Sequence, residues 1–181
     1  MSTTTHNRLE SRLGGVTVEG EPHSLSAWFV LGLRLMMGWV FLTAGIGKLT
    51  GFSAQGYLAN VDPASPASGL YATMAATPEL MAIIDVAIPV GQVMIGLGLL
   101  IGAFVRLAAL GGALMMAAFY FGNWSVSNGF VNADFVYLVV LAAIGAFAAG
   151  RILGFDTLIE NYRLDGKRLV DRYPKAKYLL G

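Results

Sequence analysis

Residues 25–48 read LSAWFVLGLRLMMGWVFLTAGIGK, a run in which only Arg34 and Lys48 carry charge. About 20 helical residues cross the hydrocarbon core of a bilayer, so this stretch is long enough to span one. Its apolar residues are continuous rather than alternating, which favours a membrane helix over a barrel strand. Three more stretches of the same kind follow at 78–101, 105–123 and 133–149, the last being the shortest. Composition agrees with this reading. The chain of 181 residues is 56% hydrophobic and 13% charged, whereas soluble domains carry about 25% charged residues.

The expected fold is therefore all-α: a polytopic membrane four-helix bundle over residues 25–149. A polar segment, 1–24, precedes it, and a basic amphipathic tail, 150–181, follows. Residues 1–24 lack the n-region, short apolar core and cleavage site of a signal peptide, so the first helix is expected to be a retained anchor. Ten of the 12 Lys and Arg lie in the N-terminal segment (Arg8, Arg12), at the turn beside Arg106, or from Arg151 onward. Residues 49–77 and 124–132 hold none. The positive-inside rule then places both termini in the cytoplasm and those two loops outside, in a prokaryotic cell membrane.

Local signals mark the helix ends. Thr77-Pro78-Glu79 has the form of a helix start, Gly102 of a stop, and Asn132 or Asp134 of a cap for the fourth helix. In the long outer loop, Ser53 and Ser68 are candidate caps of two short helices. These lie either on the outer leaflet or over the bundle, as a connector or as a lid. In the tail, Asp156 is a candidate cap for a helix carrying Leu158, Ile159 and Tyr162 on one side. The Lys and Arg beyond it suit anionic lipid or a soluble partner.

Charges inside spans are costly and point to sites. Arg34, Gly38, Phe41, Gly45 and Lys48 are spaced 4, 3, 4 and 3, on one helix face. Asp85, Pro89, Gln92 and Gly96 form the matching face of the second helix. If the outer ends of the two helices are level, Gln92 lies at the depth of Arg34, with Asp85 between Arg34 and Lys48. A bridged cluster Arg34–Asp85–Lys48 with Gln92 beside it follows, and Pro89 can open a polar niche there. It serves either as an ion pair that fixes helix register or as a site for an anion or polar headgroup. Tyr120 and Trp124 are interfacial belt residues or the walls of a flat aromatic site. Asn123, Asn128, Asn132 and Asp134 gather at the same outer end.

The absence of Cys excludes dithiol chemistry, thiolate-held iron–sulfur clusters and Cys-based zinc sites. His6 and His23 lie outside the spans, so no haem ligation and no metal site are expected. A net charge of +1 gives no reason to expect nucleic acid as a partner.

The order of motifs resembles the DoxX/DoxD membrane proteins. The Arg34…Gly38…Phe41…Gly45…Lys48-Leu49 stretch is similar to that family's first helix. Asp85 stands at its acidic position, where Glu is usual, followed by a glycine-rich stretch, a short turn and Arg106. Gly150-Arg151…Gly154-Phe155-Asp156 resembles its closing element. The resemblance, over about residues 28–160, implies a four-helix membrane protein tied to respiratory or sulfur-oxidising redox metabolism. Some relatives are small subunits of thiosulfate:quinone oxidoreductase. On that footing a quinone-handling subunit is expected. Arg34, Lys48 or Gln92 would donate to a quinone carbonyl, Asp85 would relay a proton, and Tyr120 and Trp124 would contact the ring. Arg34 or Lys48 would also attract thiosulfate. With no electron carrier of its own, the chain would need further subunits or a bound cofactor. A non-catalytic anchor subunit and a small transporter are the alternatives, with membrane lipid and other subunits or a homo-oligomer as expected partners.

Overall fold

The computed structural model describes residues 9–13, 15–20, 22–124, 130–164 and 167–181. His6, Arg8 and Asn128 lie outside the described residues. The structure is mostly helical. An N-terminal hairpin, β1 (Leu9–Leu13) and β2 (Val16–Gly20), precedes α1 (Ser26–Lys48). Two short helices, α2 (Ala54–Leu58) and α3 (Ser68–Ala75), occupy the 49–77 loop, at the end of the bundle labelled outer, the opposite end being labelled inner as names only. Then come α4 (Pro78–Ile101), α5 (Val105–Gly122) and α6 (Ala133–Ala146). A 3-10 turn at Ala149–Arg151, α7 (Phe155–Asn161), the strand pair β3 (Arg163–Leu164) and β4 (Lys167–Arg168), α8 (Leu169–Arg172) and a final 3-10 turn at Pro174–Tyr178 complete the chain.

The helical fold agrees with the expectation, and two short hairpins are added to it. Leu13 pairs with Val16 across a turn in which Gly15 has φ +86°, a value that suits glycine. Val16, Thr17 and Val18 are β-branched and so favour a strand. A polar, glycine-dotted segment hides such a short hairpin.

α1, α4 and α5 are long and apolar enough to cross a membrane. α6 is apolar but has 14 residues. It stops short of the expected 149 because Ala148 turns left-handed, at φ 50°. α1 packs on α4, α4 on α5, α5 on α6 and α6 on α1, closing a ring. Its centre holds Met37, Phe41, Ile95, Leu99, Val105, Ala109, Met116, Leu141 and Ile144. Outward faces carry exposed Met36, Trp39, Ile46, Val86, Met94, Leu110 and Leu114. Water would penalise that apolar exterior, whereas lipid accepts it.

Glycine sets how α1 meets α4. A Cβ on Gly96 would run into the backbone of Leu42, one on Gly45 would lie 2.7 Å from the Val93 nitrogen, and one on Gly38 2.8 Å from Leu100 Cγ. The backbones touch at three points, as small residues in membrane helices allow. These contacts fix an antiparallel register in which Leu42 faces Gly96 and Gly45 faces Val93. The helix ends are therefore not level. Extending that register places Lys48 opposite the Pro89 turn, and the outer turns of α4 project past the end of α1. The first two turns of α1 likewise overhang the α4–α5 turn.

Gly102 ends α4 in a left-handed conformation, φ 71°. Ser53 caps α2, its hydroxyl accepting from Gly56 N at 3.1 Å, and Asn132 caps α6 through Phe135 N at 3.0 Å. Three expected caps differ. Ser68 is already inside α3, Thr77 makes no side-chain cap, and Asp134 sits in the first turn of α6 bonded to Asn123 instead.

Candidate functional site: an outer cavity

The axial offset separates the charges that level helix ends would have gathered. No ion pair or hydrogen bond joins Arg34, Asp85 and Lys48 among the described residues. Arg34 stands at the inner end of the bundle, 1% exposed. Its guanidinium donates to the carbonyls of Ala149 (2.6 Å), Ile152 (2.8 Å) and Leu153 (3.3 Å). These carbonyls become available because the chain leaves α6 irregularly there. Asp156 lies in the same knot, fully buried. It accepts from the backbone nitrogens of Phe104 (2.6 Å), Val105 (3.0 Å) and Gly181 (3.0 Å). It therefore caps α5, more than 50 residues earlier in the chain, rather than its own helix, whose N-cap is Gly154. Gly150, Gly154 and Gly102 pack so closely here that a Cβ on any of them would meet backbone or the Asp156 carboxylate.

Asp85 serves the outer loop. Its carboxylate accepts from Ala54 N at 2.5 Å and so holds the first turn of α2 against α4. Ser65 Oγ donates to Phe121 O at 2.7 Å and Tyr71 OH to Ala118 O at 2.6 Å, tying α3 and its approach to α5. The Tyr57 hydroxyl seats against Gly122, where a Cβ would displace it. The loop is thus a lid clamped over the outer end of the bundle.

Beneath the lid lies a cavity of about 250 Å³. Val40, Phe41, Ala44, Phe52, Met116 and Phe119 give it apolar walls, while Lys48, Gln92, Tyr57, Asn123, Asp134 and Tyr137 supply polar groups. Gln92 is 3% exposed, and its carbonyl oxygen is buried without a hydrogen-bond partner. A buried polar atom left unpaired costs about 1–3 kcal/mol, so this position calls for an explanation. Lys48 is half-buried and has no hydrogen bond or ion pair among the described residues. A chain of bonds closes the outer side. Tyr57 OH donates to Asn123 Oδ1 (3.3 Å), Asn123 Nδ2 to Asp134 Oδ2 (2.8 Å), and Asn132 Nδ2 to Asn123 O (3.1 Å). Burial, with the nearby Asp134 charge and Tyr71, pushes the Tyr57 phenol well above its ordinary pKa, so it stays a neutral donor.

Of the residues proposed from sequence, the structure brings Lys48 and Gln92 together at one cavity. Arg34 and Asp85 are elsewhere, and Pro89 is buried in α4 away from the lining. Tyr120 and Trp124 form a separate aromatic cluster with Phe121 and Phe135, with Tyr120–Trp124 centroids 5.5 Å apart. The Tyr120 hydroxyl is engaged by Phe130 O at 2.8 Å. Sequence reasoning missed Tyr57 and Tyr137 as lining residues, and Asp156 as the inner counterpart of Arg34. The clustering of Asn123 and Asp134 at the outer end of the third and fourth helices was the available signal for the polar side.

A family model described as DoxX matches residues 29–126. No curated protein and no solved structure matches the chain.

Proposed function

The chain belongs to the DoxX family, and from that premise we propose that it is a membrane subunit that binds a quinone headgroup in the outer cavity. One observation carries the reading: the unpartnered Gln92 amide and the unpaired Lys48 ammonium line the same apolar-walled space. The cavity, of about 250 Å³, is of a size for a small headgroup, below the range of sites for drug-sized ligands. Lys48 donates to one ring oxygen. Gln92 offers an amide that donates to a quinone carbonyl or accepts from a quinol hydroxyl, because its orientation can reverse. The mostly apolar lining with a few convergent polar groups is that of a small-molecule site.

Quinone reduction takes two electrons and two protons. The electrons come from a partner subunit or a bound cofactor, since no side chain here carries them. Asp134, a carboxyl in the cavity lining, delivers protons to the ring from the outer side, in place of Asp85, and is reloaded from solvent. Arg34 holds the inner end together instead of meeting the ligand. The protein sits in a prokaryotic cell membrane with both termini inside. α6 is the fourth span: its 14 residues match the axial distance from Arg34 to Lys48, about 21 Å at 1.5 Å per residue.

The test is purification in native lipid, with mass spectrometry for bound quinone and co-purifying subunits. Bound quinone that is lost in Lys48→Ala and Gln92→Leu supports the reading. A stable partner complex with no quinone replaces it with a non-catalytic anchor subunit.

A further inference from the structure

The segment around α7 wears its polarity inside out. Asp156 is fully buried, whereas Phe155, Leu158 and Tyr162 are 54%, 65% and 62% exposed. Their spacing of 3 and 4 lines them up as one outward stripe, and Leu153 just before it is exposed as well. A helix at a water-facing surface has the opposite arrangement. Depth accounts for it. Arg34 donates to Leu153 O, and Asp156 accepts from Phe104 N at the α4–α5 turn, so α7 starts at the level of Arg34. That level is not the edge of the membrane. From Arg34 to Lys48, α1 rises only about 21 Å, short of a hydrocarbon core of about 30 Å. Past Arg34, α1 continues to Ser26, about 12 Å further at 1.5 Å per residue. It carries exposed Trp28 and Phe29 on that stretch, and Trp favours the boundary between hydrocarbon and headgroups. α7 thus starts within the depth that α1 itself crosses.

The charges beside the stripe point the same way. Arg163, next to Tyr162, stands directly opposite Arg168 in the antiparallel β3–β4 pair. Both are exposed, and like charges facing each other across strands repel. Asp171 answers Arg168 at 3.0 Å. Among the described residues the other acids of this segment are spent, Glu160 on Arg151 and Asp156 on backbone nitrogens, so Arg163 has no acidic partner. We propose that α7 is embedded in the leaflet at the inner end, with Phe155, Leu158 and Tyr162 against the acyl chains and the Arg163–Arg168 pair gripping the phosphate of an anionic lipid. The proposal is independent of the quinone reading. Guanidinium groups donate to phosphate oxygens in parallel pairs of bonds, and an anion shared between the two removes their repulsion. Lipid is the occupant, rather than a soluble partner, because an apolar stripe followed by cations is the pattern of an interfacial helix, and because the depth of α7 keeps it at the bilayer.

The experiment uses the full chain in nanodiscs of phosphatidylcholine with about one third phosphatidylglycerol. The chain has no Cys, so Leu158→Cys takes up a single fluorescent label. That label is expected to be quenched by a spin label carried near the lipid headgroup and shielded from aqueous iodide. Iodide quenching as complete as that of the free dye puts α7 in water and overturns the proposal. Headgroup choice is read by native mass spectrometry of the unlabelled chain. Phosphatidylglycerol is expected to be retained over phosphatidylcholine by about tenfold or more, and Arg163→Gln and Arg168→Gln each to weaken its retention about fivefold, as for one charge at a membrane surface. An unchanged thermal midpoint shows that the variants fold. Retention of phosphatidylglycerol that survives the double substitution overturns the proposal. So does inorganic phosphate bound at the pair in detergent with no preference for the anionic lipid, which makes the site one for a free anion. A soluble subunit lost on the double substitution, with lipid retention intact, overturns it in favour of a protein partner.

Discussion

The two ends of the bundle treat buried polarity in opposite ways. At the inner end, Arg34 and Asp156 lie in full burial, yet each meets three backbone partners, and only Arg34 Nε is left without one. At the outer end, Gln92 is almost as buried but its carbonyl oxygen has no partner, and half-buried Lys48 has none among the described residues. A charge that meets several backbone groups, as Arg34 does through both terminal nitrogens, is a structural device that ties irregular backbone to the helices. An unsatisfied one beside a cavity is a place prepared for something else. Charge inside a span therefore marks function only after its partners have been counted, and here Arg34, the more conspicuous residue, belongs to the structural end.

Substitutions can break this contrast. The largest effect is expected for Asp156→Ala, which strands three backbone donors and leaves Arg34 without its nearby opposite charge. Loss of a buried charged partner costs about 3–5 kcal/mol, to be seen as a lower thermal midpoint or poor recovery from detergent. Arg34→Met frees three carbonyls and should cost about 2–4 kcal/mol, on the scale of unmet buried groups, with ligand binding preserved in the fraction that folds. Gly96→Ala presses a methyl into Leu42 and should cost about 1–3 kcal/mol as an overpacked contact.

Gln92→Leu is the opposite case. Removing an unpaired polar group leaves stability unchanged within about 1 kcal/mol, or raises it, while quinone binding falls about tenfold or more. Equal damage to stability and binding would erase the distinction between the two ends. Alkaline pH gives the smallest effect. The folded state holds the Tyr57 phenol above its ordinary pKa of 10.0. Its contribution is therefore complete below that pH and declines as pH rises beyond it, when the unfolded chain ionises first. Tyr57→Phe should show a shallower alkaline loss of stability in thermal scans at stepped pH.

Much of this was legible in the residues. Run length and composition point to α1, α4 and α5, and Gly102 and Asn132 are visible as end signals. The facing stripes name Lys48 and Gln92, because spacing by threes and fours puts polar groups on the helix face that meets a neighbour. The stripes do not reveal which members share a depth. Asp156 was equally hidden. Its sequence neighbours make it a cap for α7, whereas folding carries it to the exposed nitrogens at the start of α5.

Sequence alone thus determined the helices, their apolar outward faces and the glycines that permit close approach. These follow from local composition and from the fixed period of the helix. The tertiary structure alone decided where α1 stands along α4. That offset depends on where two backbones first touch, at Gly38, Gly45 and Gly96, and on a loop that folds back as a lid. Sliding the helices to this register carried Arg34 to Asp156 and left Lys48 and Gln92 at the cavity.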